Sequence, residues 1–239
     1  MLEHISDPLL SLAYPQACSI CGESVENSRF GNACGECWAR TRLFTGEETI
    51  CSKCGRLQSL KTGPESFCRE CDDHFYDKAR AAGIYELALS ASVLSLKQKP
   101  YISKHLRSIF LESFLRSPFY DSTKVIPVPL SKRRLLTRGF NQAGLLAKLL
   151  ARETGIRLDE ASFIRSKHAR IHRAGMDRKG RELSVARSFE VVRKGFIASE
   201  VILLVDDVIT SGATASACAK VLKRNGAKKV YVFAAARAV

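Results

Sequence analysis

A parallel α/β sheet with flanking helices, preceded by a small cysteine-built metal module, is the fold class this sequence predicts. Three observations carry it. Eight cysteines stand in four Cys-x-x-Cys pairs within the first third of the 239-residue chain. Near the C-terminus the apolar run Val201 to Val205 leads into an acidic pair and a glycine-centred hydroxyl loop. A helical stretch and a second apolar run follow that loop. Strands buried on both faces read as unbroken apolar runs, and alternation of such strands with helices marks a parallel sheet. The expected division is residues 1–75 for the metal module and 76–239 for the sheet domain, sizes that suit one small domain and one ordinary one.

The metal module is built from evenly spaced cysteines. Its pairs are Cys18/Cys21, Cys34/Cys37, Cys51/Cys54 and Cys68/Cys71, separated by 12, 13 and 13 residues. Two intervening residues let both sulfurs of a pair turn toward one ion, and a zinc ion is satisfied by four thiolates in a tetrahedron. Four pairs therefore make two sites and call for two structural zinc ions. Cys21 and Cys54 are each followed by glycine, as knuckles that turn back with positive φ require, whereas Cys37 and Cys71 are not. That alternation points to two consecutive ribbons: Cys18, Cys21, Cys34 and Cys37, then Cys51, Cys54, Cys68 and Cys71. An interleaved cross-brace is the alternative. Four thiolates close a site to water, so the metal is structural rather than catalytic. Cys218 stands apart in an Ala-rich helical stretch and reads as a small buried apolar residue.

The C-terminal unit carries the chemistry. After Val201–Val205 come Asp206 and Asp207, then Thr210-Ser211-Gly212-Ala213-Thr214. A helix is expected from about Ala213 to the Asn225-Gly226 stop, with the next strand from Lys228. The loop thus falls at the carboxyl end of a buried strand, where open α/β sheets bind ligands. Thr210, Ser211 and Thr214 offer hydroxyls, Gly212 lets backbone N–H groups approach a phosphate, and the helix adds its positive end. The two aspartates are poorly placed for that phosphate and well placed to accept from a sugar diol attached to it.

The middle of the chain supplies a short strand, Val125 to Pro129, and a helix from Ala143 that Gly155 ends. Between them Lys132, Arg133, Arg134 and Arg138 offer four cations to a pyrophosphate or to nucleic-acid phosphates. Farther upstream, Leu94-Ser95-Leu96-Lys97 leads into an amphipathic helix. Of the aromatics near these cations, Tyr101, Phe110, Phe114, Phe119, Tyr120 and Phe140, most fall at helical spacings that suit core packing better than base stacking.

Composition agrees with a globular protein, at 46% hydrophobic and 26% charged residues. No apolar run has the length needed to span a bilayer. The first residues lack a basic segment leading into an apolar stretch, so a cytoplasmic location is expected. The net charge of +14 is uneven. Residues 1–75 hold 7 Lys and Arg against 11 Asp and Glu, and residues 76–239 hold 31 against 13. The second part alone has the charge to attract polyanions.

The string VILLVDDVITSGAT resembles the signature of type I phosphoribosyltransferases. The resemblance implies that Asp206 and Asp207 are the catalytic pair holding the ribose 2- and 3-hydroxyls, and that Thr210 to Thr214 cradle the 5-phosphate of phosphoribosyl pyrophosphate bound with magnesium. Taken with the zinc-ribbon N-terminus, Leu96-Lys97, PVP at 127–129 and RGFNQ at 138–142, the chain resembles the ComF family of competence-associated proteins, in the same order from about Tyr14 to Val239. The implied function is DNA uptake, with single-stranded DNA and a competence helicase or other DNA-processing protein as partners, the latter through the zinc module. One stretch departs from the family pattern. Arg170 and Arg173 stand where Thr and Gln are expected, and Ser184 replaces an Asn, while Arg181 fits and Ser188-Phe189 ends the element. With Gly175, Gly180 and many cations, this segment reads as an exposed loop over the site.

Three functional readings follow. In the first the chain is an active phosphoribosyltransferase acting on a base or amine, with Lys97 and the cations at 132–138 on the leaving group. The second is a protein that binds the activated sugar and single-stranded DNA. The third, a nucleotide-salvage enzyme, fits poorly with RGFNQ after PVP.

Overall fold

The computed structural model of the chain describes residues 16–58, 66–165 and 188–239. The expectations for Arg170, Arg173, Gly175, Gly180, Arg181 and Ser184 lie outside the described residues, as do those for the N-terminal 15. Strands β1 (Lys78–Ala81), β2 (Lys124–Pro127), β3 (Arg157–Leu158), β6 (Val201–Ile209) and β7 (Lys229–Arg237) form one sheet in the order β1-β7-β6-β2-β3. All four pairings are parallel. Strands β4 (Phe163–Arg165) and β5 (Phe189–Val191) make a separate antiparallel pair, with Phe163 and Phe189 stacked 5.6 Å apart. The helices are α1 (Gly35–Ala39), α2 (Leu87–Leu96), α3 (Lys104–Leu115), α4 (Lys132–Arg138), α5 (Gln142–Thr154) and α6 (Ala213–Arg224). The fold is a five-stranded parallel sheet with flanking helices, joined to two cysteine ribbons.

The apolar runs explain the layering. In β6, Val201, Leu203 and Val205 join Leu146, Leu149 and Phe110 in one core, while Ile202 and Leu204 join Ala215, Cys218 and Leu222 in the other. Alternating side chains thus feed both faces of a covered sheet. Phe110, Phe114 and Phe119 lie in the first core, as their spacing predicts, whereas Tyr101, ahead of α3, and Tyr120, in the turn after it, are exposed and do not pack there. Cys218 is fully buried in the second.

Two elements differ from the sequence reading. Strand β6 does not stop at Val205 but continues through both aspartates to Ile209, because β7 offers a partner of equal length; Asp206 faces Ala234 and Val208 faces Ala236 in the ladder. The basic segment after β2 is a helix, a shape the sequence reading did not assign it. Ser131 caps it by accepting from the Arg134 N–H at 3.3 Å, and Gly139 ends it in the left-handed region at φ 78°.

The strand order also fixes where a ligand can enter. From β2 the chain crosses through α5 to β3 on one side, and from β6 it crosses through α6 to β7 on the other. The crevice between the carboxyl ends of β2 and β6 is therefore a topological switch point. The loop at 210–214 and helix α4 flank it.

Candidate functional site

Around the switch point the structure gathers residues from four elements. Thr210, Ser211, Ala213 and Thr214 are exposed, so the loop hydroxyls face outward. Gly212 is buried at φ 79° and forms the N-cap of α6, with its carbonyl accepting from Ser216 N at 2.8 Å. A Cβ there would lie 2.9 Å from both His74 Cε1 and Tyr76 Oη. Gly212→Ala is therefore expected to cost about 1–3 kcal/mol in urea unfolding, from backbone strain together with that crowding.

Asp207, 7% exposed, looks toward the α5 side. Its Oδ2 lies 3.5 Å from Lys97 Nζ and accepts from Gln142 Nε2 at 3.3 Å, and its Oδ1 accepts from the Val208 N–H at 3.0 Å. Lys97 caps the C-terminus of α2, so the Leu-Lys element delivers its amine to the acidic pair. Asp206 Oδ1 bends back to accept from the Asp207 N–H at 2.9 Å. Burial, and then the neighbouring Asp207 carboxylate, push the Asp206 carboxyl well above the usual carboxylate range.

The RGFNQ string has a structural logic that sequence reasoning left unassigned. Arg138 Nη1 donates to Gln142 Oε1 at 2.9 Å, so Gln142 bridges the basic helix to Asp207. Asn141 caps α5 by accepting from the Ala143 N–H at 3.1 Å and donates to the Val128 carbonyl at 3.0 Å, which pins the PVP turn. Gly139 closes α4 and lets the chain reverse. Gln142 carries no local signal of its own; its place at the first position of a helix beside the acidic strand emerges only in the fold. Of the other cations, Lys132, Arg133 and Arg134 project from the exposed surface of α4, where Leu136 is 85% exposed.

The cysteines form two sets, Cys18, Cys21, Cys34, Cys37 and Cys51, Cys54, Cys68, Cys71, with the ligand atoms of each within 4.8 Å of one another. These are consecutive ribbons, not a cross-brace. Closest sulfurs lie 3.6 and 3.8 Å apart in the first set and 3.4 to 3.5 Å in the second. Four sulfurs at a zinc–sulfur distance of about 2.3 Å stand roughly 3.8 Å apart in a tetrahedron, so both sets fit the ion. Gly22 and Gly55 turn the knuckles at φ 82° and 70°. Burial works against ionisation of Cys18 and Cys51. Backbone N–H groups, from Cys21 and Cys34 at the one and from Cys54 and Cys68 at the other, nevertheless bring both thiols down to about 6.

Fold and site together define an α/β protein with a five-stranded parallel sheet and two four-cysteine sites that fit zinc. Residues 9–74 match the family model of the double zinc ribbon domain. Competence protein F of Haemophilus influenzae is 36% identical over 115 residues, which cover 48% of this chain and 50% of that protein. DNA utilization protein YhgH of Salmonella typhi is 31% identical over 158 residues, 63% of this chain and 67% of that one. Competence protein ComFC of Streptococcus pneumoniae is 32% identical over 134 residues, covering 55% and 56%. The chain belongs to the ComF family. It thus spans half the length of the Haemophilus relative and two thirds of the Salmonella one. Among solved structures, the glutamine phosphoribosylpyrophosphate amidotransferase from B. subtilis is 19% identical at a TM-score of 0.35, over 72% of this chain and 32% of that one. Among the described residues no helix is long and apolar enough to cross a membrane.

Proposed function

We propose that the crevice between β2 and β6 binds phosphoribosyl pyrophosphate with magnesium, and that the basic sheet domain, from about residue 76 onward, also binds single-stranded DNA in cytoplasmic processing of incoming strands. One observation carries the first half: an exposed hydroxyl loop at a helix N-terminus closely follows an acidic pair, its Asp207 buried, at a switch point. Thr210, Ser211 and Thr214, with the backbone N–H groups around Gly212, hold the 5-phosphate. Asp206 and Asp207 accept from the ribose hydroxyls. Lys97 pairs with Asp207 directly and Arg138 is linked to it through Gln142, and both cations serve the leaving pyrophosphate. Magnesium, when bound with the substrate, neutralises the pyrophosphate charge. Pyrophosphate release from the activated sugar with bases, amines or DNA ends separates the transferase reading from binding alone.

The names of the relatives, competence and DNA utilization proteins, support the second half. So does the charge asymmetry, which leaves the cationic excess on the sheet domain and an acidic balance on the ribbons. The acidic ribbons fit a protein partner, such as a helicase of the uptake machinery, better than a nucleic acid. Arg133, Arg134 and Arg138 sit on α4 beside the crevice. Replacing all three by alanine is expected to reduce the slope of log K against log salt for single-stranded DNA by about 2, from three phosphate contacts at roughly 0.7 each. An unchanged slope would place the DNA contact elsewhere.

A further inference from the structure

The stretch leaving the second cysteine set does more than connect it to β1. His74 donates its backbone N–H to the Cys71 carbonyl at 3.0 Å, and its Nδ1 lies 2.6 Å from Tyr76 Oη. The two side chains close over Gly212, within van der Waals reach of the space its missing side chain would fill. Between them Phe75 donates its backbone N–H to Ser216 Oγ at 3.1 Å, one turn into α6, and Lys220 stands 4.4 Å from the centre of the Phe75 ring. Tyr76 is 1% exposed and shares one packed core with Cys51, Cys54, Cys71 and Ala215. Arg237, at the end of β7, donates to the Cys54 carbonyl at 2.7 Å and ties the same ribbon to the sheet. Among the described residues, none of the first set's cysteines shares that core. Cys18, Cys34 and Cys37 belong to the core on the other side of the sheet.

We propose that His74 and Tyr76 are positioning residues for the phosphate loop, and that the second zinc site, unlike the first, sets the shape of that loop through them. Close-packed cores pass small displacements on rather than absorbing them. Loosening the second knuckle moves the Cys71 carbonyl, with it the His74–Tyr76 pair, and with that pair the left-handed turn at Gly212. The inference rests on reading residues 210–214 as the phosphate loop, and its test keeps the two apart.

The full zinc-loaded chain is compared with Tyr76→Phe and His74→Ala by hydrogen exchange and by calorimetry with phosphoribosyl pyrophosphate and magnesium. Exchange of the amides from 211 to 216 is expected to quicken about threefold to tenfold in either variant, the effect of one lost hydrogen bond, with the Kd rising by a similar factor. Zinc content stays at two per chain and the melting temperature stays near that of wild type, which separates positioning from general destabilisation. Cys68→Ser is expected to reproduce the loop signature, with an effect that does not add to that of Tyr76→Phe. Wild-type exchange at 211–216 in Tyr76→Phe and His74→Ala would overturn the proposal, whether or not Cys68→Ser folds. A wild-type chain without affinity for the sugar would instead sink the phosphate reading, and the exchange measurement would still decide the brace.

Discussion

Replacing Asp206 and Asp207 together by asparagine is expected to raise the Kd for phosphoribosyl pyrophosphate by at least about a hundredfold, since each hydrogen bond to an ionised group is worth roughly 1.5–3 kcal/mol. The amides keep the shape of the carboxyls and can still accept, but they lose the charge that strengthens a bond from a sugar hydroxyl. Stability is expected to move the other way at Asp206. Its carboxyl is held above the usual range in the folded chain. A group of that kind contributes stability that is complete below its unfolded pKa of about 4 and is lost as the pH rises through the folded value. Asparagine does not titrate, so Asp206→Asn should melt progressively higher relative to wild type as the pH rises from about 4 toward neutrality. Calorimetry at neutral pH and melting curves across that range check both statements. Unchanged sugar affinity in the double variant would defeat the ribose assignment.

The difference between the two aspartates was not visible in the string Asp206-Asp207. It arises from where the strand ends and which helices lie above it. Asp207 meets Lys97 from the end of α2 and Gln142 from the start of α5, two residues 45 positions apart that only the β2–β6 crevice brings together. The sequence reading reached Lys97 through the family resemblance and passed over Gln142, because a glutamine at a helix start has no distinctive local pattern. The ribbons were legible almost in full. Cys-x-x-Cys spacing is a local constraint, and glycine after Cys21 and Cys54 marked the turns that separate two consecutive sites from a cross-brace. The contact of His74 and Tyr76 with Gly212 spans more than 130 residues of chain, and neither end carries a signal for the other. The basic run at 132–138 was placed by the sequence but given no shape, although Ser131 and Gly139, its cap and its stop, were both in plain view.

Removing the zinc should have the largest effect on the folded state. A structural zinc site contributes roughly 10–16 kcal/mol of apparent binding energy, while a typical domain is stable by only about 5–15 kcal/mol. Here the ligands are not on a detachable appendage. Cys18, Cys34 and Cys37 are buried in the core that holds Phe110 and Leu146, and Cys51, Cys54 and Cys71 in the core that holds Cys218 and Leu204. Stripping both ions leaves two sets of four cysteine sulfurs, with neighbours 3.4 to 3.8 Å apart and no cation to gather around, on both sides of one sheet. A strong chelator under reducing conditions is therefore expected to release two zinc ions per chain and to lower the melting temperature of the sheet domain as well as of the ribbons. Metal release followed by a chromogenic indicator, alongside circular dichroism, reads both effects. One ion per chain would break the pairing into consecutive four-thiolate sites. Two ions released with the sheet's melting transition unmoved would show that the ribbons sit on the sheet without helping to hold it.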